Sequence, residues 1–200
     1  KAAAFIAFGI GAVAGLTLAV MTSWWLIAVG VASILAAWGY TGGKNPYGYL
    51  GLGELFVFIL FGVVATVGTF YVQTEEITFD SVLASIPMGT FACALLAINN
   101  IRDRALDEPA GKKTLAVRLG DRRARLFFAT LIALGYLAVL AMGTPWLLLV
   151  FATAPIAFRL VRGVLGDLSG RELIPYLAAN GKLQLLFSIL FAISLVLSHG

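Results

Sequence analysis

The sequence predicts an all-α, polytopic transmembrane helical bundle, and three observations carry that prediction. Apolar residues fill 60% of the 200 positions, with a mean hydropathy of +0.97. Charged residues fill only 12%, about half the share usual in a water-soluble domain. The apolar residues also fall into seven unbroken runs, at roughly 3–22, 24–40, 55–72, 82–98, 126–142, 145–161 and 183–198. Their length argues for helices. A membrane barrel would instead alternate polar and apolar residues.

The first run contains Gly9, Gly11 and Gly15, a small-residue spacing that predicts close approach of a neighbouring helix. The second opens on Trp24 and Trp25, and the sixth on Trp146, as interfacial anchors do. Pro87 and Pro155 lie inside the fourth and sixth runs and predict kinks there. Several runs have only 16 or 17 residues, short of the about 20 that span a bilayer, so their ends are defined only to within a few positions. The lone cysteine, Cys93, sits inside an apolar run and reads as a small packing residue without a disulfide partner. His199, at the chain end, gets no role.

The charges are sorted by side. All 14 Lys and Arg residues lie at the chain start or in or beside 41–54, 99–125 and 159–182. The opposite connections carry Glu75, Glu76 and Asp80 but no Lys or Arg. Loop-confined basic charge puts the basic side in the cytoplasm of a multi-pass plasma (inner) membrane protein, and it speaks against a nucleic-acid partner.

Two loops on the basic side carry polar chemistry. The first, 40–54, holds Tyr40, Lys44, Tyr47 and Tyr49, with Glu54 at the mouth of the next run. Lys44 either obeys the charge rule or binds an anion; Glu54 is either interfacial or part of a polar cavity. The second, 99–120, begins with Asn99 and Asn100 at the end of an apolar run. If that helix continues, Asp103 and Asp107 share one face, until Pro109 and Gly111 end it. Two carboxylates on one face repel, and a divalent cation between them reverses the sign. Mg²⁺ commonly binds through one or two carboxylates plus substrate phosphates, and Lys112 and Lys113 follow within reach of such an anion. Asn99 and Asn100 are placed to orient a metal-bound water or a phosphate oxygen. The plainer alternative is a solvated loop in which Arg102 and Arg104 pair with Asp103 and Asp107.

The stretch Asn99–Asp107, followed by Ala-Gly-Lys-Lys-Thr-Leu-Ala-Val-Arg-Leu-Gly at 110–120, resembles the second aspartate motif of the UbiA superfamily of intramembrane prenyltransferases. Its ending, with Gly51–Phe58, Gly68–Gln73 and Glu172–Leu177, is similar to the 1,4-dihydroxy-2-naphthoate prenyltransferase (MenA) branch. The resemblance implies a single transmembrane prenyltransferase domain over 1–200. It also implies a nine-helix fold of which seven helices are present, the chain being N-terminally incomplete. The first aspartate motif of that family, with half of its metal site, is expected to belong to the absent part.

The resemblance further implies Mg²⁺-dependent transfer of a polyprenyl group from polyprenyl diphosphate to 1,4-dihydroxy-2-naphthoate, with loss of CO₂, giving demethylmenaquinone in menaquinone synthesis. Asp103 and Asp107 are then metal ligands, and with Lys112 the catalytic set. Asn99, Asn100, Arg102, Lys113, Tyr40, Lys44 and Glu54 are substrate-binding candidates. Tyr40, Tyr47, Tyr49, Phe56 and Tyr71 are candidates to shield an allylic cation, and equally for packing or interface roles. The rivals are another aromatic acceptor (4-hydroxybenzoate, homogentisate or haem) and, from a different class, an anion transporter. A transporter places its key polar groups near the bilayer midplane, whereas these sit at the mouth.

Overall fold

A computed structural model describes residues 2–42 and 46–199, so Lys1 and the substrate-binding candidate Lys44 lie outside the described residues. Seven principal helices run in order: α1 (Ala2–Met21), α2 (Leu26–Thr41), α3 (Gly53–Thr74), α4 (Phe79–Asp107), α5 (Asp121–Leu140), α6 (Pro145–Val164) and α7 (Ile174–His199). A 3-10 turn at Tyr47–Leu50 and a short helix at Leu115–Leu119 lie in the two polar loops. Another 3-10 turn, Gly170–Leu173, leads into α7.

Six of these are long and apolar enough to cross a membrane, counting α7 with its leading turn; α2, at 16 residues, is shorter. At 1.5 Å per residue α2 reaches about 24 Å, less than the roughly 30 Å hydrocarbon core. The helices outrun the apolar runs at their basic ends. α4 continues to Asp107, α5 starts at Asp121 and α7 at Ile174. Hydropathy falls where the membrane ends, but the helical hydrogen-bond ladder continues into water.

α4 is the axis of the bundle and packs against α3, α5 and α7. Its buried Phe91 meets Tyr136 of α5 and Phe187 of α7 edge-on, at ring distances of 5.9 and 4.6 Å. Tyr136 satisfies its hydroxyl on Thr153 of α6 at 2.6 Å. Asn180 of α7, fully buried, donates to the Phe91 carbonyl at 3.3 Å. Pro155 falls where α6 changes from a 3-10 stretch (Pro145–Thr153) to α-helix.

α3 contains a π-helical segment, Phe58–Val64. Here α3 meets α4 backbone to backbone: a Cβ on Gly62 would stand 2.7 Å from the Gly89 Cα. The two glycines permit that approach, and the wide turn re-aims the following side chains, as π-segments at functional sites often do.

The expected close packing at Gly9, Gly11 and Gly15 does not occur within the described chain. A Cβ on any of them would meet no atom within 4 Å, and Gly11 and Gly15 instead line an apolar cavity of about 490 Å³ between α1 and α2. The larger rings of Phe5 and Trp38 meet across that seam, 5.6 Å apart.

Candidate active site

The two polar loops meet at one end of the bundle. The Lys113 amide donates to the Tyr49 carbonyl at 2.8 Å, and Arg118 Nε donates to the Lys113 carbonyl at 3.1 Å. Gly51 makes this junction possible. Its φ is +76°, and a Cβ there would stand 2.9 Å from Arg118 Nε and 3.0 Å from the Lys113 oxygen.

α4 carries Asp103 and Asp107 one turn apart, as the spacing predicts, and the chain turns away at Gly111 with φ +76°. Each carboxylate holds a cation. Arg102 grips Asp103 with two parallel hydrogen bonds, 2.7 Å from Nε and 2.6 Å from Nη2. Lys112 Nζ donates to Asp107 Oδ1 at 2.8 Å and lies 5.1 Å from the Tyr49 ring centre. The Asp107 hydrogen bond holds the Lys112 ammonium above the ordinary lysine range, so it is charged at neutral pH. Asp107 is buried, whereas Asp103 and Lys113 are accessible. Arg104 reaches Glu108 at 3.7 Å and Asp121 at 4.0 Å rather than either aspartate of the pair.

Asp103 and Asp107 offer the hard oxygen donors that Mg²⁺ prefers, one helical turn apart on α4. Among the described residues no cluster of three or more His, Cys, Asp or Glu side chains stands ready for a metal.

The remaining candidates divide. Glu54 is buried, at 7% exposure, and its Oε1 accepts from Asn100 Nδ2 at 2.9 Å, while Oε2 has no partner. Cys93 donates its thiol to the Glu54 carbonyl, which gives this lone cysteine a packing and hydrogen-bonding place. Asn100 is thus committed to Glu54, and Asn99, next to it, lines a cavity. Tyr40 lies edge-on to Tyr47 at 5.6 Å, and Tyr47 stacks on Phe56 at 4.0 Å. The Tyr47 hydroxyl donates to the Ala36 carbonyl at 2.5 Å, and burial pushes that phenol up. Tyr71 is at the opposite end of the bundle, accepting a hydrogen bond from the Trp25 indole at 3.0 Å. It packs against Trp25 there and does not join the other tyrosines.

Two apolar cavities open beneath this mouth. One, of about 560 Å³, lies between α2 and α3 and is lined by Tyr40, Tyr47, Phe56 and Leu60. The other, of about 470 Å³, lies between α3, α4 and α7. Val57 and Phe61, on α3, border both. Gln184 of α7 lines the second cavity, and the residue reading of the loops passed over it. Its signal was a lone amide at the start of a long apolar run.

Comparison with known proteins gives the chain its relatives. The model of the UbiA prenyltransferase family matches residues 1–169. A 1,4-dihydroxy-2-naphthoate octaprenyltransferase of Mycobacterium tuberculosis is 44% identical over 192 residues, which cover 95% of this chain and 66% of that protein. Its counterpart in Bacillus subtilis is 31% identical over 201 residues, covering 98% of the chain and 65% of that protein. The human UbiA prenyltransferase domain-containing protein 1 is 30% identical over 162 residues, covering 80% and 46%. The chain spans about two thirds of the length of the bacterial relatives in this comparison.

Proposed function

The chain belongs to the UbiA prenyltransferase family, and from that premise we propose that it serves transfer of a polyprenyl group from polyprenyl diphosphate to 1,4-dihydroxy-2-naphthoate, with loss of CO₂, yielding demethylmenaquinone in its reduced, quinol form. The single observation that supports it most is a charged mouth over two greasy cavities. Asp103, Asp107, Lys112 and Lys113 stand at the end of α4, and apolar space opens below Tyr40 and Asn99. Such a site suits a substrate with an anionic head and a hydrocarbon tail.

Each residue then has a physical task. As the allylic C–O bond breaks, charge accumulates on the diphosphate, and Lys112, Lys113 and Arg102 are fixed cations for it. Asp103 and Asp107 would hold Mg²⁺, which supplies Lewis-acid neutralisation of diphosphate oxygens when bound. The same carboxylates keep Arg102 and Lys112 in place. Tyr40, Tyr47 and Phe56 offer ring faces to an allylic cation and exclude water from it. The ring carbon that bears the carboxylate bonds the allylic carbon, the diphosphate leaves with the electron pair of the C–O bond, and the carboxylate departs as CO₂, its bonding pair restoring the aromatic ring as the 1,4-quinol. Residues 1–200 act in this reading as one membrane domain, with the Lys- and Arg-bearing loops in the cytoplasm and the helices in the plasma membrane.

The test is turnover in membranes. Given 1,4-dihydroxy-2-naphthoate, a polyprenyl diphosphate and Mg²⁺, the protein should release CO₂ and diphosphate in equal amounts, and a chelator should stop both. Prenylation of 4-hydroxybenzoate with the naphthoate ignored would move the protein to another acceptor. Solute flux without diphosphate release would make it a transporter.

A further inference from the structure

The cavity between α3, α4 and α7 is walled by Val57, Phe61, Leu95, Leu96 and Leu177, and two primary amides interrupt that wall: Asn99 from α4 and Gln184 from α7. Other polar side chains of α7 make bonds to neighbours, although the buried Asn180 Oδ1 has no partner. Asn180 donates to the Phe91 carbonyl, Ser188 to the Met88 sulfur and Ser194 to the Leu190 carbonyl. Asn99 and Gln184 have no hydrogen-bond partner among the described residues. Both amides are half-buried, an amide without a partner in an apolar wall is costly, and here two helices present one each to the same space. A mostly apolar pocket with a few convergent polar groups is the usual form of a small-molecule site.

We propose that Gln184, together with Asn99, recognises the aromatic acceptor by hydrogen-bonding its ring substituents, and so determines acceptor specificity. The inference rests on the prenyltransferase reading above and deepens it. Three features point to the acceptor rather than the other substrate. An amide is neutral and presents both a donor and an acceptor, which matches a phenolic hydroxyl or a carboxylate, whereas a diphosphate is matched by the cations at the mouth. Asn99 lies one turn of α4, about 5.4 Å, before Asp103, so a ring held here lies just beneath the leaving group's position. The cavity between α2 and α3, across Phe61, has no amide in its lining and is the better fit to an isoprenoid tail.

The experiment uses the purified protein in detergent, with 1-hydroxy-2-naphthoate as a binding probe read by equilibrium dialysis and steady-state kinetics alongside. Gln184→Leu should weaken probe binding and raise the acceptor KM about tenfold, the order expected for one lost hydrogen bond. The KM for polyprenyl diphosphate should stay within about twofold, which a merely structural role would not achieve. If the leucine variant does not accumulate, Gln184→Glu keeps the size and polarity. It should weaken the carboxylate-bearing probe more than 1,4-naphthalenediol, by like-charge repulsion. Unchanged probe affinity, an equal shift in both KM values, or a wild type that binds no hydroxynaphthoate would each overturn the assignment. Probe binding that depends on Gln184 without any prenyl transfer would instead remove the prenyltransferase reading and leave the aromatic site standing.

Discussion

Asn100 Nδ2 donates a 2.9 Å hydrogen bond to Glu54 Oε1 across the packed face of α3 and α4. Both side chains are more than 90% buried, and the bond joins the first polar loop to the second beneath the candidate diphosphate site. Removing one partner strands the other in an apolar interior, whereas removing both does not. Asn100→Ala should therefore destabilise the protein by roughly 1–3 kcal/mol, and adding Glu54→Leu should recover part of that loss. Thermal unfolding in one detergent, run as a double-mutant cycle, reads the coupling. Strictly additive effects would show that the pair does not act as a unit.

Asp103→Asn and Asp107→Asn remove charge while nearly preserving volume. Each should lower Mg²⁺-dependent turnover by about two orders of magnitude or more, the scale of a lost electrostatic contact to a transition state. Lys112→Ala should chiefly raise the KM for polyprenyl diphosphate. The two aspartates should also differ in stability. Asp107 is buried against Lys112, whereas Asp103 and Arg102 are partly solvated, so only Asp107→Asn should lower the unfolding temperature appreciably. Wild-type turnover in either aspartate variant would remove that residue from the metal site.

The orientation follows from charge placed by the fold. The ends of α2, α4 and α6 and the starts of α3, α5 and α7 lie at the basic end, where Lys113 bonds Tyr49 and Arg125 bonds the carbonyls of Val164 and Leu168. A reporter inserted at Gly170 should read cytoplasmic and one at Glu75 external. An external signal at Gly170 would put the candidate site on the wrong side of the membrane for a cytoplasmic substrate.

The fold was legible because hydrocarbon is an exacting solvent: an unbroken apolar run has few alternatives to a helix. What escaped was whatever hydropathy does not encode. α7 begins at Ile174, not near Leu183, because Asn180 and Lys182 interrupt the apolar signal without interrupting the helix. Asp103 and Asp107 were legible as a pair because an interval of four fixes a shared helical face. Asn100 and Glu54 were visible separately, but 46 residues part them in sequence, and only packing reveals that they bond each other. Tyr71 was grouped with the loop tyrosines by residue type, and the length of α3 carries it to the far side.

The last prediction concerns a residue outside the reaction. Arg125, near the start of α5, is 6% exposed and makes four hydrogen bonds. Two go to Asp121, at 2.6 and 3.1 Å, and the others go to the carbonyls of Val164 and Leu168, each at 2.6 Å. Val164 ends α6, so its carbonyl has no helical partner, and a guanidinium there also meets the negative end of the helix dipole. Arg125→Ala leaves those carbonyls without their donor and should cost roughly 3 kcal/mol or more. Arg125→Lys should restore little, because a single ammonium cannot span a carboxylate and two separate carbonyls as a planar fork does. Asp121→Asn should cost less than either, since Asp121 is 45% exposed and water replaces much of what it loses. The order of unfolding temperatures is therefore wild type, Asp121→Asn, Arg125→Lys, Arg125→Ala, from high to low. If Asp121→Asn proved as damaging as Arg125→Ala, the carboxylate, and not the end of α6, would be what Arg125 serves.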